Sequence, residues 1–302
     1  MEKSAIVIHG GAGGVSPDIY SDSEKKGYEL ALKSIIDQGF QGLAHGQSAL
    51  DVVSEAVSAL EDDPLFNAGR GSVFDANGEM SFDASLMCGQ SMKVGGVTSL
   101  KKIKNPIFAA RWVLKNSTHS LIAGSYLEDF LEGQGFTVAQ PSFFKTDKRY
   151  EQYLEAQKTQ KISLDHGNSN TVGAVARDIH GNLAAATSTG GMTYKFPGRV
   201  SDSSIIGAGT YANNATCAVS GTGTGDIFIQ HNLCHLVHCL MSLKGLQLTE
   251  ACNQSLDLLQ AAQGFGGLIA IDYKGDICMP FRAAGMFRAY RDTLGGFEVA
   301  IF

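Results

Sequence analysis

The sequence predicts an α+β protein in which stacked antiparallel sheets carry helices on their outer faces. Helical patterns precede a group of short strand patterns, short turns join those strands, and helices and strands then follow again. Strands joined by short turns pair antiparallel, whereas a doubly wound parallel sheet needs a helix between successive strands. Hydrophobic residues form 44% of the 302-residue chain, which is enough for a buried core in one large domain or two modest ones.

Composition excludes several functional classes. The formal net charge is −6, so no basic field exists that would attract nucleic acid or an anionic membrane. The apolar runs are far shorter than a membrane span. A strand pattern begins directly after residues 1–4, and we expect no signal peptide. The cysteines show no tight extracellular spacing, so reduced thiols in a cytoplasmic protein are the simpler interpretation. They are Cys88, Cys217, Cys234, Cys239, Cys252 and Cys278.

The chain begins with a short buried strand, 5–9, that leads into a glycine-rich turn, 9–14. No Lys-Ser/Thr pair follows this turn, so a nucleotide loop is not indicated. We interpret the turn as tight packing under a site, and His9 as a hydrogen-bonded structural histidine rather than a base.

Apolar spacing then predicts two helices, 20–38 and 47–60, the second ending before Pro64. The polar loop 67–71 is either a wall of a site or an ordinary surface turn. Further patterns predict strands at 71–74, 80–87 and 92–97, a hairpin turn at 75–78, helices at 105–114, 121–132 and 150–159, and an exposed mobile segment at 158–170.

A hairpin of small and β-branched residues, 170–178 and 183–191, organises the rest of the chain. Residues 178–182 between its legs form a five-residue turn signal. If Arg177 lies opposite Leu183, antiparallel register places Thr171 opposite Thr189. Two facing threonine hydroxyls at the open end of such a hairpin leave room for a ligand, so we expect a site there.

Two stretches after the hairpin add groups that bind ions. Arg199 and Asp202 share a loop, where they grip an α-carboxylate and an α-ammonium or, alternatively, form a surface ion pair. The glycine- and threonine-rich stretch 220–226 opens onto a predicted helix, 227–243. Backbone amides at a helix start bind anions, so Thr222 and Gly223 are candidates for stabilising a carboxylate, a phosphate or an oxyanion. A P-loop is not indicated because its lysine is missing.

The remaining patterns predict strands at 205–209, 216–219, 267–273 and 298–302, and a helix at 249–262 with Thr249 as its N-cap. The predicted helix 227–243 carries His and Cys side chains at three- and four-residue spacing, which is typical of metal ligands. Apolar residues are interleaved around that helix, so we favour buried structural side chains over a metal site. The side chains in question are His231, Cys234, His235, His238 and Cys239.

Several long strings closely resemble, in order, the plant-type asparaginase and isoaspartyl peptidase family. They are AIVIHGGAGG, LEDDPLFNAGRGSVF, TVGAVARD, GNLAAATSTGGMT, GRVSDS, IIGAGTYANN, SGTGTGD and MPFRAAGMFRAY. These proteins are N-terminal nucleophile hydrolases. The resemblance covers nearly the whole chain and implies a four-layer αββα sandwich in a single domain, 1–302. It also implies self-cleavage of the bond between Asn170 and Thr171, which gives an alpha subunit, 1–170, and a beta subunit, 171–302.

The resemblance also implies the catalytic groups. Thr171 is the nucleophile, and Thr189 and Thr222 are its hydroxyl neighbours. Thr222 and the amide of Gly223 form the oxyanion hole. Once Thr171 is N-terminal, its α-amino group has an ordinary pKa of roughly 7.7–8.0 and serves as the base, so no histidine is required.

Binding groups follow from the same resemblance. Arg199 and Asp202 hold the α-carboxylate and the α-ammonium of the substrate, and Asn67 flanks the site. The resemblance implies no catalytic cofactor, but it implies a structural Na⁺ or K⁺. Its ligands are backbone carbonyls of Leu60, Glu61, Asp63, Phe66, Ala68 and Arg70.

The implied activity is hydrolysis of L-asparagine to aspartate and ammonia and of β-aspartyl (isoaspartyl) dipeptides, by a cytoplasmic homodimer of cleaved units acting on small molecules. Three residues depart from the family pattern. Asn170 stands where glycine is usual before the nucleophile, and we expect slower cleavage because glycine accepts a strained backbone most easily. Ser201 replaces a glycine and is expected to narrow the α-amino pocket. Gly221 replaces a cysteine without effect on the chemistry.

Four alternatives stay open. The first is a cleavage-deficient homologue that binds aspartyl ligands through Arg199 and Asp202. The second is a glycosylasparaginase-like amidase, although that branch is typically secreted with disulfides. The others are a threonine endopeptidase, for which no long recognition insertion exists, and a metal-binding protein built on the helix at 227–243.

Overall fold

The structure, a computed structural model, describes residues 3–13, 16, 18–159 and 171–302. The helices in this part of the chain are α1 Asp22–Ala44, α2 Ala49–Asp62, α3 Pro106–Asn116, α4 Ser125–Gly133, α5 Pro141–Phe144, α6 Asp147–Thr159, α7 Gly225–His231, α8 Leu233–Lys244 and α9 Leu248–Ala261. The strands are β1 Ala5–Gly13, β2 Phe82–Cys88, β3 Val94–Leu100, β4 Leu121–Ala123, β5 Val172–Arg177, β6 Leu183–Thr189, β7 Thr210–Ala212, β8 Cys217–Gly223, β9 Gly266–Asp272, β10 Ile277–Cys278, β11 Phe281–Arg282, β12 Gly285–Asp292 and β13 Phe297–Ala300.

The described strands form two sheets. The larger has the order β13-β12-β1-β5-β6-β2-β3-β4, and the smaller has the order β10-β9-β8-β7, with β11 also paired to β9. Pairing is antiparallel, as predicted, except between β3 and β4. Helix α3 separates those two strands in the chain, and a helical crossover returns the chain in the same direction.

Strand β1 shows how both faces of the larger sheet are covered. Its side chains alternate between two hydrophobic clusters, as the period of a strand requires. Ile6 and Ile8 pack with side chains of α1 and α2, whereas Ala5 and Val7 pack with side chains of β8 and β9. Helices α8 and α9 supply further members of the second cluster. The first hydrophobic cluster therefore joins the larger sheet to helices that include α1 and α2, and the second joins side chains of both sheets to α8 and α9. None of the described helices is long and apolar enough to cross a membrane.

The central hairpin has the predicted register. Arg177 lies opposite Leu183, and the pairing continues to Val172 opposite Ser188. The turn closes because Asp178 Oδ1 accepts hydrogen bonds from the backbone N–H groups of residues 180 and 182, both at 2.9 Å. Gly181 takes the positive φ of 79° that the turn needs.

Three predicted elements differ from the structure at glycine or asparagine residues. The expected turn at 9–14 is instead a continuation of β1 to Gly13, with a bulge between His9 and Gly11. The predicted helix 121–132 divides at Gly124, whose φ is 84°, into β4 and α4. The predicted helix 227–243 breaks at Asn232, which adopts a left-handed conformation between α7 and α8.

Other differences are smaller. Residues 71–74 form no strand, and residues 205–209 form a bend and a turn with one isolated bridge at Ile206. Gly71 and Gly207 have positive φ values of 94° and 95°. Helix α9 begins one residue earlier than predicted, with Gln247 rather than Thr249 at its N-cap. Strand β12, which pairs with β1, was not predicted.

Candidate active site

Two threonine hydroxyls meet at the open end of the central hairpin. Thr171 Oγ1 donates a hydrogen bond to Thr189 Oγ1 at 3.1 Å, so the predicted pairing of these residues is confirmed. Both side chains are buried, with Thr171 7% exposed. The contact is possible because small residues of β5 and β6 keep the two strands in regular register up to their last pair.

The turn after Thr189 contributes a second hydrogen bond to this hydroxyl. Gly191 N–H donates to Thr189 Oγ1 at 2.9 Å. Asn67 fastens the turn, because Nδ2 donates to Gly191 O at 2.7 Å while Oδ1 accepts from Val73 N–H at 3.0 Å. The predicted position of Asn67 beside the site is thus consistent with its contacts, and its amide is used to hold the turn.

Lys195 lies buried beneath the same turn. Its Nζ donates to Gly190 O at 2.7 Å and to Ser81 O at 3.0 Å. Burial lowers the pKa of Lys195 to about 8, with Arg199 acting in the same direction and Asp83 and Asp75 opposing it. Sequence reasoning assigned no role to this lysine. The stretch 190–196 carries no motif that marks this lysine, which stands between Tyr194 and Phe196.

His9 is a structural histidine, as predicted. Its Nε2 lies 3.0 Å from Ser220 Oγ. Burial lowers the pKa of His9 to about 3, and a backbone hydrogen bond at Thr171 opposes this only in part. The neutral ring therefore bridges the two sheets. Gly173 makes the bridge possible, since a Cβ there would lie 2.1 Å from Ser220 Oγ.

Thr222 lies at the Thr171 end of the hairpin. Its Oγ1 accepts from Ala12 N–H at 3.3 Å. Strands β1 and β5 are antiparallel with His9 opposite Gly173, so residues after His9 run toward Thr171. Thr222 belongs to the end of strand β8, and the stretch opens onto a helix as predicted, because α7 begins at Gly225, two residues before the predicted start at 227.

Gly223 follows Thr222 in a conformation that excludes other residues. Its φ is 139°, and an added Cβ would lie 2.2 Å from Phe265 O. The close approach of the neighbouring strand therefore requires glycine at this position.

Arg199 and Asp202 converge on one face of Gly225. A Cβ on this glycine would lie 3.0 Å from Arg199 Nη2 and 2.4 Å from Asp202 Oδ1. Arg199 forms an ion pair with Asp226, N–O 3.1 Å. The surface pair of Arg199 with Asp202 that we considered is therefore replaced by one with a different, largely exposed carboxylate.

Asp202 has a buried carboxylate oxygen without a hydrogen-bond partner among the described residues, namely Oδ2. The residue is 4% exposed. Burial raises the pKa of Asp202 to about 7, against the opposing effect of Arg199. A buried carboxylate oxygen is costly unless a donor meets it, so Oδ2 is an acceptor whose desolvation is not offset by a hydrogen bond from the described residues.

Asp83 ties the Asp202 segment to the threonine pair. Its Oδ2 accepts from Ser201 N–H at 2.7 Å, and Asp83 lies opposite Thr189 in the sheet. The Ser201 hydroxyl is buried and has no partner in the described part of the chain. A polar side chain therefore occupies the position where the resemblance implies glycine.

The loop after α2 carries the carbonyls predicted to bind a monovalent cation. Arg70 N–H donates to Glu61 O at 2.7 Å, and Phe66 N–H donates to Asp63 O at 3.3 Å. A carbonyl has a second lone pair, and rings of carbonyl oxygens bind K⁺ and Na⁺. Two of the predicted ligand carbonyls therefore already accept hydrogen bonds within the loop, and each keeps one further lone pair. Burial raises the pKa of the Glu61 side chain to about 8.

The side chains with metal-like spacing do not share one helix. His231 ends α7, whereas Cys234, His235, His238 and Cys239 lie on α8. His235 is close to Cys239, Nδ1–Sγ 3.7 Å, and His238 Nδ1 contacts Thr216 Oγ1 at 2.7 Å. Within the described ranges no three His, Cys, Asp or Glu side chains could hold a metal ion together. Asn170 and the predicted mobile segment from residue 160 onward lie outside the described residues.

Comparisons with a family model and with individual proteins agree on one family. A family model described as asparaginase matches residues 2–301. The isoaspartyl peptidase of Salmonella typhimurium is 46% identical over 299 residues, which cover 96% of each chain. A putative isoaspartyl peptidase/L-asparaginase of Dictyostelium discoideum is 40% identical, covering 96% of this chain and 93% of that protein. A probable isoaspartyl peptidase/L-asparaginase 2 of Arabidopsis thaliana is 36% identical, covering 99% and 98%.

Proposed function

Because the chain belongs to the asparaginase family, we propose that it hydrolyses L-asparagine to aspartate and ammonia and cleaves β-aspartyl (isoaspartyl) dipeptides. The observation that carries this proposal is the contact between the Thr171 and Thr189 hydroxyls at the end of the hairpin. We assign the Thr171 hydroxyl as nucleophile and the Thr189 hydroxyl as its immediate partner, and this contact supports the assignment. Arg199 and Asp202 supply opposite charges, which suits a substrate with an α-carboxylate and an α-ammonium.

Maturation is the first step of the proposed reaction. Thr171 Oγ1 attacks the carbonyl carbon of Asn170, the peptide C–N bond breaks, and the nitrogen of Thr171 takes up a proton. Water then hydrolyses the resulting ester, which leaves chains 1–170 and 171–302. The new α-amino group of Thr171 has an ordinary pKa of roughly 7.7–8.0, so it is partly neutral near pH 7 and serves as general base.

Turnover then uses the same hydroxyl. The α-amine accepts the proton of the Thr171 hydroxyl. Thr171 Oγ1 then attacks the side-chain amide carbonyl carbon of the substrate. We assign Thr222 and the amide of Gly223 to the developing oxyanion, supported by the location of Thr222 at the Thr171 end. The proton passes to the departing ammonia or amine. Water attacks the ester, releasing aspartate and restoring Thr171.

In the proposed complex, one charged side chain binds each of the two charged groups of the amino-acid substrate. The Arg199 guanidinium binds the α-carboxylate, and Asp202 Oδ2, which has no partner among the described residues, binds the α-ammonium. Asp202 must be ionised for this pairing. Because its pKa is raised to about 7, it loses its proton close to neutral pH. Ser201 narrows the same pocket.

The remaining proposals concern assembly. We assign the two sheets and their outer helices to one four-layer αββα domain, supported by the two hydrophobic clusters. A homodimer of cleaved units in the cytoplasm is the proposed working form. A Na⁺ or K⁺ held by carbonyls of the loop after α2 is the proposed structural ion, and no catalytic cofactor is proposed.

A second candidate function is a cleavage-deficient protein that binds aspartyl ligands. It is favoured by one observation, the asparagine at position 170, where the resemblance implies glycine. Without cleavage the Thr171 amine stays in a peptide bond and cannot act as base.

Intact mass of the purified protein, fresh and after days at room temperature, separates the two candidates. Masses of 1–170 and 171–302 support the hydrolase, and they should be accompanied by release of aspartate from L-asparagine and from a β-aspartyl dipeptide. Thr171→Ala is the matched control and should remain one chain without turnover. A persistent 302-residue chain that binds aspartate overturns the hydrolase in favour of the binder. Turnover confined to glycosylated asparagine overturns the proposed substrate range.

A further inference from the structure

A buried lysine lies directly beneath the turn that follows Thr189. Lys195 is 2% exposed, and its Nζ donates to two backbone carbonyls, Gly190 O and Ser81 O. Lysine is among the residues least often fully buried, because an ammonium group loses its hydration there. The proposed reaction cycle does not use this cation, so its burial beside the site calls for a role.

The Gly190–Gly191 peptide connects Lys195 to the nucleophile. The carbonyl of this peptide accepts from Lys195 Nζ at 2.7 Å, and its N–H donates to Thr189 Oγ1 at 2.9 Å. Thr189 Oγ1 in turn accepts from Thr171 Oγ1 at 3.1 Å. Since a peptide unit is planar, the lysine that orients its carbonyl also orients its N–H. Hydrogen bonds in such a chain polarise one another.

The backbone folds so that Lys195 returns under the turn it supports. Gly191 and Tyr194 have positive φ values of 82° and 64°. Lys195 N–H donates to Met192 O at 3.1 Å, and Lys195 O accepts from Ala76 N–H at 2.9 Å. A Cβ on Gly191 would lie 2.9 Å from Lys195 Nζ, so glycine leaves the space that the ammonium occupies.

We propose that Lys195 is a positioning residue that orients the Gly190–Gly191 peptide toward the Thr189 hydroxyl and thereby aligns the Thr171 hydroxyl for attack. This proposal rests on the proposed function. The charged groups that act on Lys195 are Asp83, Asp75 and Arg199. Lys195 itself contacts backbone carbonyls, so its effect on the substrate is indirect.

Lys195→Met tests the proposal because methionine fills a similar space without a charge or a donor. We expect kcat per cleaved chain to fall about 10- to 100-fold, less than the 10²–10³ loss typical of a direct oxyanion donor, with KM within about twofold. In a Thr189→Ala background the same change should lower kcat no further, because the path through Thr189 is already broken. Lys195→Gln, which keeps an N–H donor, should recover part of kcat.

Arg177→Met is the matched control. Arg177 is also a buried cation that donates to backbone carbonyls, Tyr273 O at 3.0 Å among them, but it lies at the other end of β5. The Arg177→Met protein should be less stable than the wild type and should keep the wild-type kcat. A Lys195→Met protein that folds but stays uncleaved, while Arg177→Met cleaves, also supports the proposal, because cleavage uses the same hydroxyl.

Wild-type kcat in cleaved Lys195→Met, or losses that add fully to those of Thr189→Ala, overturns the positioning role. The proposed function survives both of these results. A cleaved wild-type protein without turnover on L-asparagine and β-aspartyl dipeptides overturns the proposed function itself.

Discussion

The ionisation of Asp202 controls substrate binding in the proposed reaction. Burial raises the pKa of its carboxyl to about 7, so a substantial fraction is protonated just below neutrality. A protonated carboxyl cannot form an ion pair with the substrate ammonium. The group that binds the substrate therefore titrates close to the pH at which the Thr171 amine must become neutral.

We expect KM for L-asparagine to rise about tenfold for each pH unit below the pKa of Asp202, because only the ionised carboxylate binds. Meanwhile kcat should rise with pH as the Thr171 amine loses its proton. Steady-state kinetics between pH 5 and 9 measure both quantities. Asp202→Asn should have a higher KM with no dependence on pH over this range. A flat wild-type KM from pH 5 to pH 8 would contradict the assigned role.

Thr222→Ala tests the proposed oxyanion contact. Loss of one oxyanion donor should lower kcat by about 10²–10³ with a smaller change in KM. The measurement is turnover per cleaved chain, counted by intact mass. Thr216→Ala is a suitable control, because this hydroxyl lies near the opposite end of the same sheet, where it contacts His238. An unchanged kcat would remove Thr222 from the site.

At the scale of single residues, the threonine pair could be predicted and Lys195 could not. The pairing of Thr171 with Thr189 follows from turn length and the two-residue period of a strand, which are local properties. The position of Lys195 depends on Ser81, which is 114 residues away in the chain, and on a turn with two positive φ values. Such contacts are set by packing of the whole fold and leave no local pattern.

At the scale of elements, one turn chemistry recurs at four places in the part of the chain that the structure describes. In each, an aspartate Oδ1 accepts hydrogen bonds from the backbone N–H groups two and four residues later. The residue three positions after the aspartate is a glycine with positive φ. The turns begin at Asp75, Asp178, Asp272 and Asp292. This chemistry explains why the turns at 75–78 and 178–182 could be predicted from sequence, although only the second joins two paired strands, because residues 71–74 form no strand.

Gly295→Ala isolates the backbone cost of this turn. The φ of Gly295 is 93°, and a Cβ there would meet nothing within 4 Å, so the change adds strain without a clash. We expect a loss of about 1 kcal/mol in the free energy of unfolding, measured by urea denaturation. Gly27→Ala in α1 is the control, because its Cβ also meets nothing and alanine favours a helix by about 0.5–1 kcal/mol. Equal effects of both variants would argue against strain as the cause.

Elements that depend on distant partners were the ones missed. Strand β4 is only three residues long and sits in an apolar pattern that also fits a helix, so its pairing with β3 decides its conformation. Strand β12 carries Arg288 and Arg291 among its apolar residues, which obscures its alternation. In both cases tertiary pairing overrides the local preference.

At the scale of the whole molecule, the proposed cleavage divides strands that remain interleaved. Strand β1 belongs to 1–170, yet it pairs on both sides with strands of 171–302, β12 and β5. Strand β2 of the first part likewise pairs with β6 of the second. These pairings join residues other than Asn170 and Thr171, so we expect cleavage to leave them in place.

We therefore expect the cleaved chains to stay together and unfold as one unit. Size-exclusion chromatography without denaturant should give a single species that contains both 1–170 and 171–302, and thermal unfolding should show one transition. The uncleaved Thr171→Ala chain should elute at the same volume. Its Tm should lie within about 8 °C of the cleaved form, the shift that roughly 2–4 kcal/mol produces in a protein of this size. Separate elution of the two chains in native buffer would contradict the sheet order, because each would carry unpaired central strands into water.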